Sequence, residues 1–199
     1  MSANACFRQS CNVPTGLATI KGPRQAPTNE MKRLFMMCGI AFSGKTTVAK
    51  QLSQAVGCAY VGLDDINAER GLHGGDGIAV EEWDRTHNIA LERMRELMAG
   101  SEDIVLDDTN CFRWLRDRYR ESAHENGYIV ELVYLEIPLQ DVQARIVQNS
   151  MTASRRSIGS NILGEHVREF EAPQADEAAT VLRNPEDVSR WIESKSSPS

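Results

Sequence analysis

The chain has 199 residues, 41% apolar and 25% charged, with a formal net charge of −6 at pH 7. That length suits one domain with a substantial core, and the acidic balance argues against a non-specific nucleic-acid binder, which is normally basic. Five cysteines without paired spacing fit reduced thiols of a cytoplasmic protein rather than a disulfide framework or zinc site, and no apolar run reaches membrane-spanning length.

Residues 1–30 are rich in Ser, Asn, Pro, Gly and Thr and carry no apolar period, which predicts a mobile extension. Arg8, Lys21 and Arg24 precede the first acid, Glu30. They form no amphipathic pattern, and no apolar core of a secretory signal accompanies them. The folded domain is expected over residues 31–193, with a frayed tail at 194–199. Leu34–Cys38 is an apolar run of strand length. It leads into Gly39-x-x-x-x-Gly44-Lys45-Thr46, the full phosphate-binding loop (Walker A) signature. Val48, Ala49, Leu52, Ala55 and Val56 then recur at helical spacing, so the order is strand, glycine loop, helix.

The loop's chemistry follows from that order. Gly39 and Gly44 can adopt angles forbidden to a side chain. The loop, with Phe42, Ser43 and Thr47 in its nucleotide-binding set, then turns N–H groups toward one anion at the positive end of the helix dipole. Lys45 is expected to reach the β- and γ-phosphates, and the Thr46 hydroxyl to ligate Mg²⁺.

Ala59–Leu63 reads as the second strand, ending at Asp64-Asp65, and a glycine-rich loop follows at Gly71–Gly77. Trp83, Ala90, Leu91, Met94, Leu97 and Met98 mark a helix over about 80–99. Ile104–Leu106 is the third strand, ending at Asp107-Asp108-Thr109-Asn110. Leu115, Tyr119, Ser122 and Ala123 mark the next helix, closed by Gly127. Ile129–Ile137 is a nearly continuous apolar strand, and Leu139–Gln148 a helix. The span from Asn149 to Ser160 is patternless and carries Arg155 and Arg156. A helix is expected over Ile162–Phe170 and a short strand over Ala179–Leu182. A last helix is capped at Asn184 and shows Val188, Trp191 and Ile192 on one face.

Strands alternating with helices predict an α/β fold with a parallel sheet covered on both faces. Ligands in such sheets sit at the carboxyl ends of the strands. The glycine loop, Asp64-Asp65 and the 107–110 turn should therefore meet on one edge. Phosphoryl transfer needs a phosphate cradle, a metal, an aligned acceptor and cations around the transferring group. Asp64 is the candidate base that takes a hydroxyl proton, with helix capping as the alternative for Asp64 and Asp65. Adjacent Asp107 and Asp108 are costly without a nearby cation, so one of them is expected to serve the Mg²⁺ shell or the substrate hydroxyl. Thr109 and Asn110 either orient substrate or serve turn chemistry. Arg113, Arg116, Arg118 and Arg120 read mostly as a solvated face. Arg145, Arg155 and Arg156 flank a candidate lid and are expected to supply a contact to ATP. His73, His87, His124 and His166 show no ligand spacing, and Trp83, Trp114 and Trp191 fit core faces or helix packing better than a stacking platform.

Several of these features recur together: the Gly39–Thr46 loop, Asp64-Asp65, Leu106-Asp-Asp-Thr-Asn110, Gly127-Tyr128 and Phe170-Glu171-x-Pro173. In combination the chain resembles, over about residues 32–193, the small P-loop kinases that include the polynucleotide 5′-kinase domain, zeta toxins and chloramphenicol phosphotransferase. The resemblance implies a P-loop NTPase fold with sheet order 2-3-1-4-5, ATP as donor and a hydroxyl acceptor. It implies a base at Asp64 and a substrate or metal contact at Asp108. Two positions depart from the polynucleotide kinase pattern. Asn67 stands where an arginine is expected, with Arg70 one turn on, and Asn149 occupies a lid-arginine slot. Both losses suit a small, uncharged acceptor better than a polyanion.

The expected function is an ATP- and Mg²⁺-dependent kinase of a small-molecule hydroxyl, with Asp65, Arg70, Asp107 and Asn110 as further substrate contacts. Rival readings are a polynucleotide 5′-kinase, a zeta-toxin-like nucleotide-sugar kinase and a non-kinase ATP-binding switch.

Overall fold

The computed structural model describes residues 32–72, 77–152 and 160–196. The expected extension at 1–30, His73, and the lid arginines Arg155 and Arg156 lie outside the described residues. The elements in chain order are β1 (Arg33–Cys38), α1 (Lys45–Val56), β2 (Ala59–Gly62), α2 (Leu63–Glu69), α3 (Val80–Ala99) and β3 (Ile104–Asp107). They continue with α4 (Arg113–Glu125), β4 (Ile129–Leu135), α5 (Leu139–Thr152), α6 (Ser160–Glu169), β5 (Thr180–Leu182) and α7 (Pro185–Ser196).

All four strand pairings are parallel, in the order β2-β3-β1-β4-β5. A strand buried on both faces reads as a continuous apolar run, and β1 is buried from Leu34 to Cys38. Its side chains alternate between two cores. Leu34, Met36 and Cys38 pack with Leu91 and Met94 of α3 and Leu115 and Tyr119 of α4. Phe35 and Met37 pack with Val48 and Leu52 of α1 and Trp191 of α7. Helices thus cover both faces, and because every strand is parallel, their carboxyl ends share one edge.

Several boundaries differ from the sequence reading. α6 starts at Ser160, and α7 runs through Ser196, so the expected frayed tail at 194–199 is helical over its first three residues. β2 stops at Gly62, and Asp64 and Asp65 lie in the first turn of α2. Leu63 and Ile66 drive that helix by packing into the core, and acids in its first turn complement the dipole. β4 ends at Leu135 rather than Ile137. α5 runs on through Thr152 and takes in Asn149, which is 7% exposed, so the patternless span begins later than expected.

Candidate active site

The sheet edge opens into a cavity of about 1090 Å³, walled by the glycine loop, α2, α3, the β3 exit and the start of α4. The loop's shape depends on residues without room for change. Gly39 has φ 147°, and its N–H donates to the Thr109 carbonyl at 3.1 Å. A Cβ there would stand 3.0 Å from both the Leu135 carbonyl oxygen and Ser43 Oγ. Phe42 and Gly44 also hold positive φ, at 63° and 103°. Gly44 caps α1, whose N-terminus has no side-chain cap and no acid in its first turn. Its leading N–H groups are left for an anion in the loop.

Lys45 is 7% exposed, and its Nζ donates to the Ile40 carbonyl at 2.8 Å and to Ser43 Oγ at 3.5 Å. Burial lowers its pKa, and Asp107 and Asp108 oppose that shift. Thr46 lines the cavity beside it, whereas Ser43 is buried beneath the loop and Thr47 is exposed outside the wall. Arg145 reaches across from α5 and donates to the carbonyls of Phe42 at 3.1 Å and Ser43 at 2.7 Å. It braces the loop from outside the cavity wall.

Two acidic corners face the loop. β2 and β3 are neighbours with Gly62 opposite Asp107, so Asp64 on α2 and the pair Asp107-Asp108 line the same cavity. The Tyr60 hydroxyl donates to Asp107 at 2.7 Å. That ring passes where a Cβ on Gly62 would stand 2.5 Å from its oxygen. Burial, then the Asp107 charge, raises the Tyr60 pKa well above the usual phenol value, so it stays a donor. Asp108 accepts from the Asn110 N–H at 3.1 Å and from Thr109 Oγ1 at 3.4 Å.

Three expected acceptor contacts are placed elsewhere. Asn110 is fully buried, and its Nδ2 donates to the Met37 carbonyl at 2.7 Å, which ties the β3 exit to β1. Arg70 forms an ion pair with Glu82 and donates to Thr86 Oγ1 at 2.5 Å. Thr86 in turn donates to Asn67 Oδ1 at 2.5 Å, so Arg70 and Asn67 latch α2 onto α3. Asp65 is exposed, and none of these three predicted residues lines the cavity.

The arginine run on α4 is not a solvated face. Arg116 is fully buried in a bidentate pair with Glu177, with both bonds at 2.7 Å, and it also donates to the carbonyls of Asn110 and Glu171. Arg113 pairs with Asp176, Arg118 with Asp84, and Arg120 with Asp117 and Glu177.

Sequence reasoning missed much of the far wall. Trp83, Asp84 and His87 of α3, Cys111, Phe112 and Trp114 around the start of α4, and Phe170 line the cavity. Trp114 is 59% exposed rather than part of a core face. The signal was available, because on α4 it is Leu115 and Tyr119 that carry the core stripe and Trp114 lies off it. The Nδ1 of His87 is 2.8 Å from the Tyr119 hydroxyl, and burial lowers its pKa, so it is neutral at pH 7. Burial, with Asp108 adding to it, raises the Cys111 pKa and keeps it a thiol.

Comparison with known proteins agrees with this fold. An AAA domain family model matches residues 34–173. A probable gluconokinase of Schizosaccharomyces pombe is 30% identical over 162 residues, covering 76% of this chain and 79% of that protein. A shikimate kinase of Nitratidesulfovibrio vulgaris is 26% identical over 170 residues, covering 83% and 94%. Among solved structures, a sugar kinase from Janibacter sp. superposes with a TM-score of 0.58 at 21% identity, covering 82% of this chain and 94% of that one. The chain belongs to the AAA domain family, as a P-loop kinase that transfers the γ-phosphate of ATP to a hydroxyl of a small molecule.

Proposed function

We propose that Lys45, Thr46, Asp64 and Asp108 carry out this transfer. The observation that carries the reading is the meeting of Lys45 and Thr46 with Asp64, Asp107 and Asp108 in one cavity wall. The loop amides and Lys45 hold the β- and γ-phosphates. Asp64 accepts the acceptor's hydroxyl proton and aims its oxygen at the γ-phosphorus. The new O–P bond forms as the bond to the β–γ bridging oxygen breaks, and ADP leaves with that electron pair.

Thr46, Asp107 and Asp108 offer only oxygen donors, which fits Mg²⁺. Bound there, the ion would neutralise charge on the phosphates. Asp107 is held in place by Tyr60 and Asp108 by the Asn110 N–H, so neither carboxylate needs to reorganise. Arg155 and Arg156 are the candidates for a further cation on the transferring group. The acceptor is a small hydroxylated compound, the size class to which the relatives' names, gluconokinase and shikimate kinase, point. A cytoplasmic setting suits the free thiols of Cys38, Cys58 and Cys111.

Lys45→Ala is expected to lower kcat/KM by at least about a hundredfold, through lost stabilisation of transition-state charge. Asp64→Asn should lower kcat by about 10²-fold or more while leaving the KM for ATP near the parental value. Near-parental turnover by Lys45→Ala, or efficient transfer to a 5′-hydroxyl oligonucleotide in preference to small alcohols, would sink the reading.

A further inference from the structure

Besides the phosphate loop and the acids, the aromatic rings of Trp83, Phe112, Trp114 and Phe170 wall the cavity. These rings are held in place before any acceptor arrives. Phe112 stacks on Trp114 with centroids 6.0 Å apart and planes at 13°, and Phe170 stacks on Tyr134 at 5.9 Å and 22°. An exposed tryptophan fixed on a second ring offers a flat apolar face at little further entropic cost.

The charges at this end have one sign. Asp84 and Glu169 line it, and among the described lining residues Lys45 supplies the sole lysine or arginine. Lys45 is already committed to the loop. Arg118 pairs with Asp84 from behind at 3.1 Å and does not line the cavity. Burial favours the neutral ring of His87, and His166 is the other imidazole in the described wall. A carboxylate on the acceptor would share the cavity with Asp84 and Glu169 and would find, among the described lining residues, no guanidinium or ammonium other than Lys45 to meet it.

We propose that the acceptor is a cyclic hydroxyl compound that carries no acidic group and lays an apolar ring face on Trp114 and its neighbours. This rests on the kinase reading above and separates the chain from what the names gluconokinase and shikimate kinase describe. Neutral and amine-bearing rings share the chemistry, and the test distinguishes them.

The experiment uses the full chain with ATP and Mg²⁺ and four probes: glucose, glucosamine, glucuronate and phenyl β-glucoside. Binding is followed by quenching of tryptophan fluorescence, and transfer by ADP release. Trp191, the third tryptophan of the chain, is buried in the opposite core and should not respond. Glucose, glucosamine or the phenyl glucoside should bind at least about tenfold more tightly than glucuronate, since each nearby like charge is worth several-fold. Tighter glucosamine than glucose would assign the amine arm, and the reverse the neutral arm. In Trp114→Ala, whose side chain is largely exposed, KM for the preferred ring should rise at least about fivefold with kcat within about twofold of the parent, as expected on losing a stacking surface. In Glu169→Lys the penalty on glucuronate should shrink. Equal or tighter binding of glucuronate, absence of quenching by every ring, or an unchanged KM in Trp114→Ala overturns the proposal. If acids stimulate ADP release and the neutral rings do not, this inference fails and the kinase reading stands. If no alcohol stimulates ADP release, and Lys45→Ala hydrolyses ATP as the parent does, it is the kinase reading that fails.

Discussion

Single residues decide whether the phosphate cradle exists. At Gly39 both the angle and the space are restricted. Its φ of 147° disfavours any side chain, and a Cβ would press on the Leu135 carbonyl, which cannot swing away because β4 is locked into the sheet. Gly39→Ala should therefore destabilise the fold by about 1–3 kcal/mol and raise the KM for ATP. Urea denaturation and initial-rate kinetics check the two effects. A variant with parental stability and KM would show that the loop shape is not what holds the phosphates. Residues of this kind were legible from the sequence, because Gly39, Gly44, Lys45 and Thr46 are spaced as their chemistry requires. Asp64, Asp107 and Asp108 were legible for a related reason: each sits at or just beyond a strand end, and parallel strands bring such ends together. Asn110 and Arg70 were not. Their side chains find backbone and helix partners brought close only by the fold, and no local pattern distinguishes a carboxamide aimed at Met37 from one aimed at substrate.

Among the elements, the ion pair between α4 and the turn at Ala175–Glu177 has a measurable pH signature. Burial pushes the Glu177 carboxyl up, but the Arg116 guanidinium and the Gln174 N–H outweigh it and hold its pKa at about 2, against an ordinary 4.5. A depressed carboxylate contributes stability that is fully present above its unfolded value and is lost as pH falls through its folded one. The loss should fall between about pH 4.5 and 2 and amount to about 3 kcal/mol. Glu177→Gln should flatten that acid limb. It should also cost about 3–5 kcal/mol at neutral pH by stranding a buried guanidinium. Denaturation midpoints at pH 7, 4.5 and 2.5 for parent and variant test both statements, and parallel curves would remove Glu177 as the cause. The pair also shows why periodicity misread the arginine run. Arg116 follows Leu115 and precedes Tyr119, so it rides the buried stripe, but the acid that makes its burial tolerable lies 61 residues away. The short helix α2 escaped for a similar reason. Leu63, Asp64, Asp65 and Ile66 read equally well as a strand end, and contact with the core decides between the two.

At the level of the whole molecule, stability and chemistry occupy different parts of the sheet. The faces carry the two cores, while the edge carries the loop, the acids and the aromatic wall. The two covered faces were legible because strands and helices alternate throughout, whereas the sheet order was implied only by the resemblance to the small P-loop kinases. The far wall was not legible, because it is assembled from the ends of separate helices whose mutual approach no single segment encodes. This division predicts that damage to a face leaves the chemistry intact in molecules that remain folded. Trp191 is the sharpest place to look. It is 7% exposed on α7, meets Phe35 edge-on at 6.0 Å, and its Nε1 donates to Glu131 at 2.8 Å. Lys195 reaches the same carboxylate at 2.8 Å, so one residue anchors both the ring and the end of the helix. Trp191→Ala should cost about 3–5 kcal/mol through the cavity it leaves and lower the thermal midpoint by several degrees. The KM for ATP and the kcat per folded molecule should stay within about twofold of the parent, since Trp191 packs in the core on one face of the sheet and does not line the cavity. Saturating ATP should recover part of the lost stability by binding the native state alone. A large change in KM without loss of stability would mean that the α1–α7 face is coupled to the cradle, and the separation of face from edge would have to be abandoned.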